Sequence, residues 1–234
     1  MTMAANPPYQ YAGSELSIFE KAIHWKRYWS SLVAPYIRGD VLEVGAGIGA
    51  NTQTLVRFPH ETYTSLEPDA RLAAQIQITG PRHRKMAGTL RDVAQLFDTI
   101  LYIDVLEHIE DDRAEMEVAA AHLKPGGHVV VLSPAHASLY TPFDKAIGHF
   151  RRYSKKSLAA AASQTELRPV KLLYLDSVGM LASGANRLLL SQAMPTERQI
   201  LTWDRLMVPV SRVLDPLLGY TVGKSILGVW KRES

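Results

Sequence analysis

The 234-residue sequence predicts an α/β domain: an open sheet of parallel strands with helices packed against it. Three observations carry that expectation. Asp40-Val41-Leu42-Glu43-Val44 is an apolar, β-branched run of the kind found in a strand buried on both faces. Three glycines follow it at alternate positions, Gly45, Gly47 and Gly49, and a helix-compatible stretch begins at Ala50. Further short apolar runs recur downstream, separated by segments of helical character. A strand, a glycine-rich turn and a helix are how open α/β sheets bring a nucleotide-like ligand to the carboxyl end of a strand.

Composition narrows the class. A hydrophobic content of 47% and a charged content of 21% read as one globular domain over 1–234. A formal net charge of +3 is weak for a dedicated nucleic-acid binder, so no nucleic acid is expected as a partner. The absence of cysteine excludes disulfides and thiolate metal sites and fits a cytoplasmic location. The segment MTMAANPPYQYAGSE lacks a basic region followed by an apolar run, so no signal peptide is expected. No apolar run reaches the roughly 18 residues that would suggest a transmembrane helix.

Taken in order, residues 1–13 read as a loose arm. Its Asn6-Pro7-Pro8-Tyr9 matches a short motif of amino-methyltransferases. In those families the motif ends the fourth strand, and no strand can precede it here, so it reads as a coincidence. Residues 14–36 predict a cover helix, capped by Ser14 and carrying the aromatic cluster Trp25, Tyr28 and Trp29. After the glycine loop, 50–57 predicts the first crossover helix. Residues 61–66 predict the second strand, ending at Glu67, and Pro68-Asp69 leads into a helix over 69–78. Residues 85–90 predict a short third strand, with Asp92 as a helix cap in preference to an acceptor for an adenine amine. Residues 97–103 predict the fourth strand, followed by Asp104-Val105-Leu106-Glu107-His108-Ile109.

Asp112 and Glu115 predict a capping box for a helix ending near Leu123, stopped by Lys124-Pro125-Gly126-Gly127. The run 128–133 predicts the fifth strand. The long connection 134–153 carries Tyr140, Asp144, His149, Arg151, Arg152 and Tyr153. Ser154 caps a helix over 154–165, 169–180 reads as the sixth strand and 223–230 as the seventh. Between these last two, 181–221 predicts a helical insertion rich in leucine and interrupted by Arg187, Arg198, Arg205 and Arg212. Its apolar stripes suit packing on the sheet, a lid over an apolar substrate, a homodimer face or a membrane-surface contact.

The glycine loop has two readings. Gly45-x-Gly47-x-x-Ala50 satisfies a nicotinamide or flavin fingerprint. The additional Gly49, with Glu43 two residues before the first glycine, gives E-x-G-x-G-x-G, which resembles motif I of the class I S-adenosylmethionine-dependent methyltransferases. DVLEHI at 104–109 and KPGG at 124–127 resemble the same family, in its small-molecule, ubiquinone-biosynthesis-like group. The resemblance covers roughly residues 14–180 and the seventh strand. It implies a Rossmann-like seven-stranded sheet, order 3-2-1-4-5-7-6, with strand 7 antiparallel and helices on both faces. It also implies S-adenosyl-L-methionine as cofactor, S-adenosyl-L-homocysteine as product, and methyl transfer to an oxygen or nitrogen of a small molecule.

Site residues follow from the resemblance. Glu43, Gly45, Ala46, Gly47, Gly49, Asn51 and Thr52 would form the loop end of the cofactor site. Glu67, 18 positions beyond Gly49, suits the ribose hydroxyls, with Pro68 beside it. Gly88, Thr89 and Leu90 fall where the family contacts adenine, and Asp104, Val105 and His108 border the reacting methyl. Tyr28, Trp29, Tyr140, His149, Arg152 and Tyr153 are the substrate candidates, although for Tyr28 and Trp29 packing of the helix on the sheet is the preferred reading. His149, ahead of His108, is the candidate base, because an imidazole titrates near neutral pH. For Arg152 an equal alternative is that Asp144 pairs with Arg151 or Arg152 to tie down the loop. A metal at Glu107, His108, Glu110, Asp111 and Asp112 is not expected, since no H-E-x-x-H spacing is present and acids suit a helix N-terminus. Two other classes stay open: a nicotinamide oxidoreductase, and a cofactor-binding interaction subunit without catalysis that docks through 181–221.

Overall fold

The structure, a computed structural model, describes residues 19–189 and 196–233, with the side chains of 184–189 outside that description. The Asn6–Tyr9 motif and the Ser14 cap lie outside the described residues. Seven strands form one sheet in the order β3-β2-β1-β4-β5-β7-β6. They are β1 Asp40–Val44, β2 Thr62–Glu67, β3 His83–Ala87, β4 Phe97–Ile103, β5 Leu123–Pro134, β6 Leu167–Leu175 and β7 Ser225–Arg232. β1 pairs in parallel with β2 and β4, β2 with β3, and β4 with β5. β7 runs antiparallel to both β5 and β6. The expected Rossmann-like order and the reversed strand are both present.

Alternate strand residues supply two separate cores, as the period-two pleat requires. Leu42, Ile100, Val129 and Val131 face one way, toward the helices Asp112–Ala121 and Lys155–Ala161. Val41, Leu101, Val130 and Leu132 face the other way, toward helix α1, Ile23–Val33, and the insertion. Each fully buried aliphatic side chain contributes roughly 1.5–3 kcal/mol, which is why these strands carry few polar residues. Gly228 of β7 leaves room for the Trp230 ring, whose atoms lie 2.3 Å from where a Cβ would stand.

Several expected boundaries move, each for a local reason. Within the described residues the cover helix runs Ile23–Val33 and ends in a 3-10 turn at Ala34–Tyr36. The crossover helix over 50–57 shrinks to Thr52–Leu55, and that over 69–78 to Ala70–Gln75. β3 stops at Ala87 because Gly88 turns at φ 145° and Thr89 opens a capping box with Asp92. Asp92 is therefore the third residue of that turn, not its cap. Asp111, not Asp112, caps the helix Asp112–Ala121, accepting from the Ala114 amide at 3.0 Å. Glu115 instead accepts from the Tyr102 hydroxyl. β5 starts at Leu123, so the KPGG segment lies within the strand. β6 ends at Leu175, where Asp176 at φ 65° turns the chain into the helix Ser177–Leu189.

The insertion therefore starts at 177. It continues as Glu197–Thr202, a π-helical turn Trp203–Met207, and Val208–Leu217, which together form one helical run. Two buried aspartates tie this run to distant helix starts. Asp204 accepts from the His24 and Trp25 amides at 3.1 and 2.8 Å, supplying the side-chain cap that α1 lacks at Ala22. Asp215 accepts from the Asp176 and Ser177 amides at 2.6 and 3.0 Å and from the Tyr28 hydroxyl at 2.7 Å.

Asp215→Ala should lower unfolding stability by about 3 kcal/mol, since it strands two buried amides and a buried hydroxyl. Urea denaturation followed by circular dichroism checks this, with Asp215→Asn expected to retain part of the loss.

Candidate active site

The carboxyl ends of β1, β4 and β5 open into a cavity of about 850 Å³. One end is the glycine loop, where Gly45, Ala46, Gly47, Ile48, Ala50 and Asn51 line the wall. The loop makes its turns at positive φ: 66° at Gly45, 57° at Gly47 and 84° at Gly49. A Cβ on Gly45 would meet the Val105 methyls at 2.7 and 2.8 Å, so the segment after β4 packs directly onto the loop.

Buried carboxylates support the loop from below. Glu43 lies beneath it, out of the cavity wall, and accepts from Thr52 Oγ1 at 2.5 Å and from the Tyr63 hydroxyl at 3.0 Å. Burial pushes its carboxyl up to about 7, against the pull of those hydrogen bonds and of the Lys26 charge. Lys26 donates to the Ala50 carbonyl at 2.9 Å and so fastens α1 to the same loop. Glu67, at the tip of β2, accepts from the Gly47 amide at 2.8 Å and the Asp69 amide at 2.9 Å. Burial raises its pKa while those two amides oppose the rise.

Glu67, Pro68, Gly88, Thr89 and Leu90 stand outside the cavity wall, on the β2–β3 side of the loop. Glu67 is in register with Ala87, next to Gly88. Thr89 donates through its amide and hydroxyl to Asp92, both at 2.8 Å, and Leu90 is in the core. Gly49 faces Ile76, and Thr52 is bonded to Glu43. Of the predicted cofactor residues, the cavity itself brings together Gly45, Ala46, Gly47, Asn51, Asp104 and His108.

The other end of the cavity is polar. Asp104 sits at φ 57°, a strained backbone for a non-glycine residue, and lines the wall with Glu107, His108, His149, Arg152 and Lys224. Burial and the neighbouring Glu107 charge raise the Asp104 pKa. His149 donates from Nδ1 to Asp144 at 2.9 Å, which leaves its Nε2 facing Glu107 Oε1 at 3.8 Å. Burial disfavours the charged imidazole of His149. The Asp144 hydrogen bond and the Glu107, Asp144 and Asp104 charges outweigh that and raise its pKa. His108, ring to ring with His149 at 4.5 Å, is pushed down to about 4 by burial and by the His149 charge. Among the described residues, Glu107 Oε1 is a buried side-chain oxygen with no hydrogen-bond partner, while Glu107 Oε2 accepts from Ser133 at 2.8 Å.

Asp144 organises the loop that delivers His149. It closes a capping box on Thr141 at the start of the helix Pro142–Ala146, and it also takes the Arg152 guanidinium at 2.8 and 3.0 Å. The stapling reading of Arg152 thus holds geometrically, and Arg152 still borders the cavity. Arg151 pairs with Asp112 instead, at 2.6 Å.

Three substrate candidates lie outside the cavity wall, with their hydroxyls bonded within the fold. The Tyr28 hydroxyl is spent on Asp215, that of Tyr140 on the His149 carbonyl at 2.6 Å, and that of Tyr153 on Asp112 at 2.8 Å. Trp29, His149 and Arg152 do reach the cavity. The sequence also argued against a metal at Glu107 and His108 from local spacing. The fold adds His149, and ligand atoms of Glu107, His108 and His149 lie within 4.8 Å of one another, so this trio could hold an ion. Lys224 is a cavity residue that sequence reasoning missed, while Trp203 and Met207 come from the insertion whose apolar stripes suited a lid. Lys224 sits 3.7 Å over the Trp203 ring and 3.4 Å from Asp176, and nothing local marks it.

A sequence model described as a methyltransferase domain matches residues 22–172. A demethylmenaquinone methyltransferase of Tropheryma whipplei is 28% identical over 169 residues, covering 68% of this chain and 66% of that protein. Among solved structures, a chain of the Haloferax volcanii complex of a methyltransferase with its Trm112 activator superposes with a TM-score of 0.61 at 14% identity. That match covers 92% of this chain and 94% of the other. Phosphoethanolamine N-methyltransferase 2 of Haemonchus contortus, solved with S-adenosyl-L-methionine, gives a TM-score of 0.63 at 12% identity, over 94% of this chain and 58% of that one.

Gly45→Ala should displace Val105 and strain the loop. The expected result is at least a tenfold weaker S-adenosylhomocysteine affinity by calorimetry, with the far-ultraviolet dichroism unchanged.

Proposed function

Because the chain belongs to the methyltransferase-domain family, we propose that it moves a methyl group from S-adenosylmethionine to a hydroxyl oxygen of a largely apolar small molecule. One observation carries the choice of a hydroxyl. His149 lines the cavity and is held by Asp144 through Nδ1, while its Nε2 stands 3.8 Å from Glu107 Oε1, another residue of the cavity wall. The apolar body of the acceptor is read from the walls, which include Trp25, Trp29, Phe143, Ile200, Trp203 and Met207. The oxidoreductase reading of the glycine loop finds no support in the family match.

The residues present fit the cofactor. The loop backbone bends at positive φ where side chains would collide, and a carboxylate stands at the next strand tip. Gly45 to Asn51 would hold the methionine end and Glu67 the ribose, with Gly88 and Thr89 beyond it. When bound, S-adenosylmethionine supplies an electrophilic methyl on a sulfonium. Asp104 and Glu107 place two carboxyl groups at that end of the cavity, and a cation there would favour their charged forms. His149 Nε2 takes the acceptor's proton, and Asp144 fixes the tautomer and stabilises the imidazolium that forms. The aromatic walls keep water out and hold the acceptor, and such positioning supplies up to roughly 7–11 kcal/mol.

His149→Ala should lower kcat by about 10²–10⁴-fold, the usual worth of a positioned base. S-adenosylhomocysteine affinity should stay unchanged; an equal fall in binding removes the assigned role. The assay is methyl transfer across phenols and hydroxylated lipids, with amines as controls.

The pH dependence has a definite sign. The base form is neutral and the pKa is raised, so kcat should climb with pH through a midpoint above the ordinary histidine value. Asp144→Asn removes a raising interaction and should move that midpoint downward.

Glu67→Ala should weaken cofactor binding about 10–100-fold, as expected for a lost charged hydrogen bond. Calorimetry with S-adenosylhomocysteine decides this, and an unchanged affinity takes Glu67 out of the ribose site.

A further inference from the structure

The helical run 197–217 has an inner and an outer side of opposite character. Inward, it gives Ile200, Trp203 and Met207 to the cavity and buries both of its aspartates, Asp204 and Asp215. Outward, it exposes Leu206 by 66%, Val213 by 63% and Leu217 by 78%, with Val210 and Leu214 between them. Positions 210, 213, 214 and 217 fall on one stripe of a helix, and Leu206 continues it by a turn. From Arg198 to Leu218 the exposed ionisable residues are Arg198, Arg205 and Arg212 alone. Among the described residues, none of the three makes an ion pair, and Glu197 is taken by Lys21 at 2.7 Å. On the adjoining helix α1, Ile23 and Arg27 are exposed in the same apolar-plus-basic combination.

We propose that this face docks on an anionic lipid surface. An apolar stripe flanked by arginines, with both aspartates turned inward and the exposed Glu197 paired with Lys21, is the pattern of a helix that lies in the plane of a bilayer interface. The leucines and valines enter the headgroup boundary while the guanidiniums meet lipid phosphates. A second copy of this chain is a poorer occupant. A two-fold contact sets the same patch against itself and would bring Arg205 and Arg212 toward their own copies without an acidic partner. The proposal does not depend on which acceptor is methylated. Among the described residues, no helix is long and apolar enough to cross a membrane, so attachment through this face would be peripheral.

Co-sedimentation with vesicles tests it. The full chain should pellet with vesicles of phosphatidylcholine and phosphatidylglycerol in equal parts, at least about tenfold more tightly than with phosphatidylcholine alone, and added salt should weaken the binding. The double variant Arg205→Gln/Arg212→Gln should lose roughly ten- to thirtyfold in vesicle affinity. Val213→Asp should abolish binding while S-adenosylhomocysteine affinity and the thermal melt stay at the wild-type values. If Val213→Asp unfolds, the milder Leu217→Ser serves, with a loss of at least threefold expected. Failure to bind either vesicle, or equal binding to both, overturns the proposal. So does sedimentation equilibrium that shows a dimer broken by Leu217→Ser.

Discussion

A carboxylate taken out of water must be met by donors, and that constraint organises this molecule. Glu43 joins β1, the start of the first crossover helix and β2 under the glycine loop. Glu67 draws the loop amide of Gly47 toward β2. Asp144 gathers Thr141, His149 and Arg152 into one arch over the cavity. Asp176 collects Trp203, Ser211 and Lys224. Glu43, Glu67 and Asp176 take donors from other elements of the fold, while Asp144 closes its own loop on residues three to eight positions away. The apolar core fixes that the sheet forms, but the acids fix where the loops and the insertion come to rest on it. Glu107 departs from this rule at one oxygen, and it does so inside the cavity, where an unmet acceptor is available to a ligand.

The sheet was largely legible because it depends on short-range pattern. β1, β2 and β4 follow from apolar runs, and β4 keeps its expected bounds from Phe97 to Ile103. The order of the sheet and the reversed β7 were implied by resemblance, since no periodicity within 225–232 reveals a neighbour. The end of β6 was misjudged because Val178, Gly179 and Met180 continue an apolar pattern. What ends the strand is Asp176 at positive φ, held by partners around position 211.

The site was legible where the chain is local and opaque where it is not. Gly45, Gly47, Asp104 and His108 reach the cavity as their motifs suggested. Tyr28 was a candidate by its place in the cover helix, and Tyr140 and Tyr153 by theirs in the long connection, but the three hydroxyls bond to Asp215, the His149 carbonyl and Asp112. Lys224 could not be singled out at all, since its importance comes from Asp176, Trp203 and Asp104 converging on it. The approach of His149 to Glu107 and His108 is likewise a product of the Asp144 arch. Spacing in the sequence could not suggest it.

The position of β7 bears on how the chain is assembled. It is the seventh strand to leave a ribosome, yet its place is between the fifth and the sixth. Until it arrives β6 has no neighbour, and β5 presents a long apolar edge of the kind that invites association between nascent chains. The first turn of α1 waits nearly as long, because its acidic cap is Asp204. Residues 40–104, which build the glycine loop, are synthesised well before either. A half-made chain therefore carries the glycine-loop residues and their supporting strands beside a sheet whose β5 edge still lacks its partner.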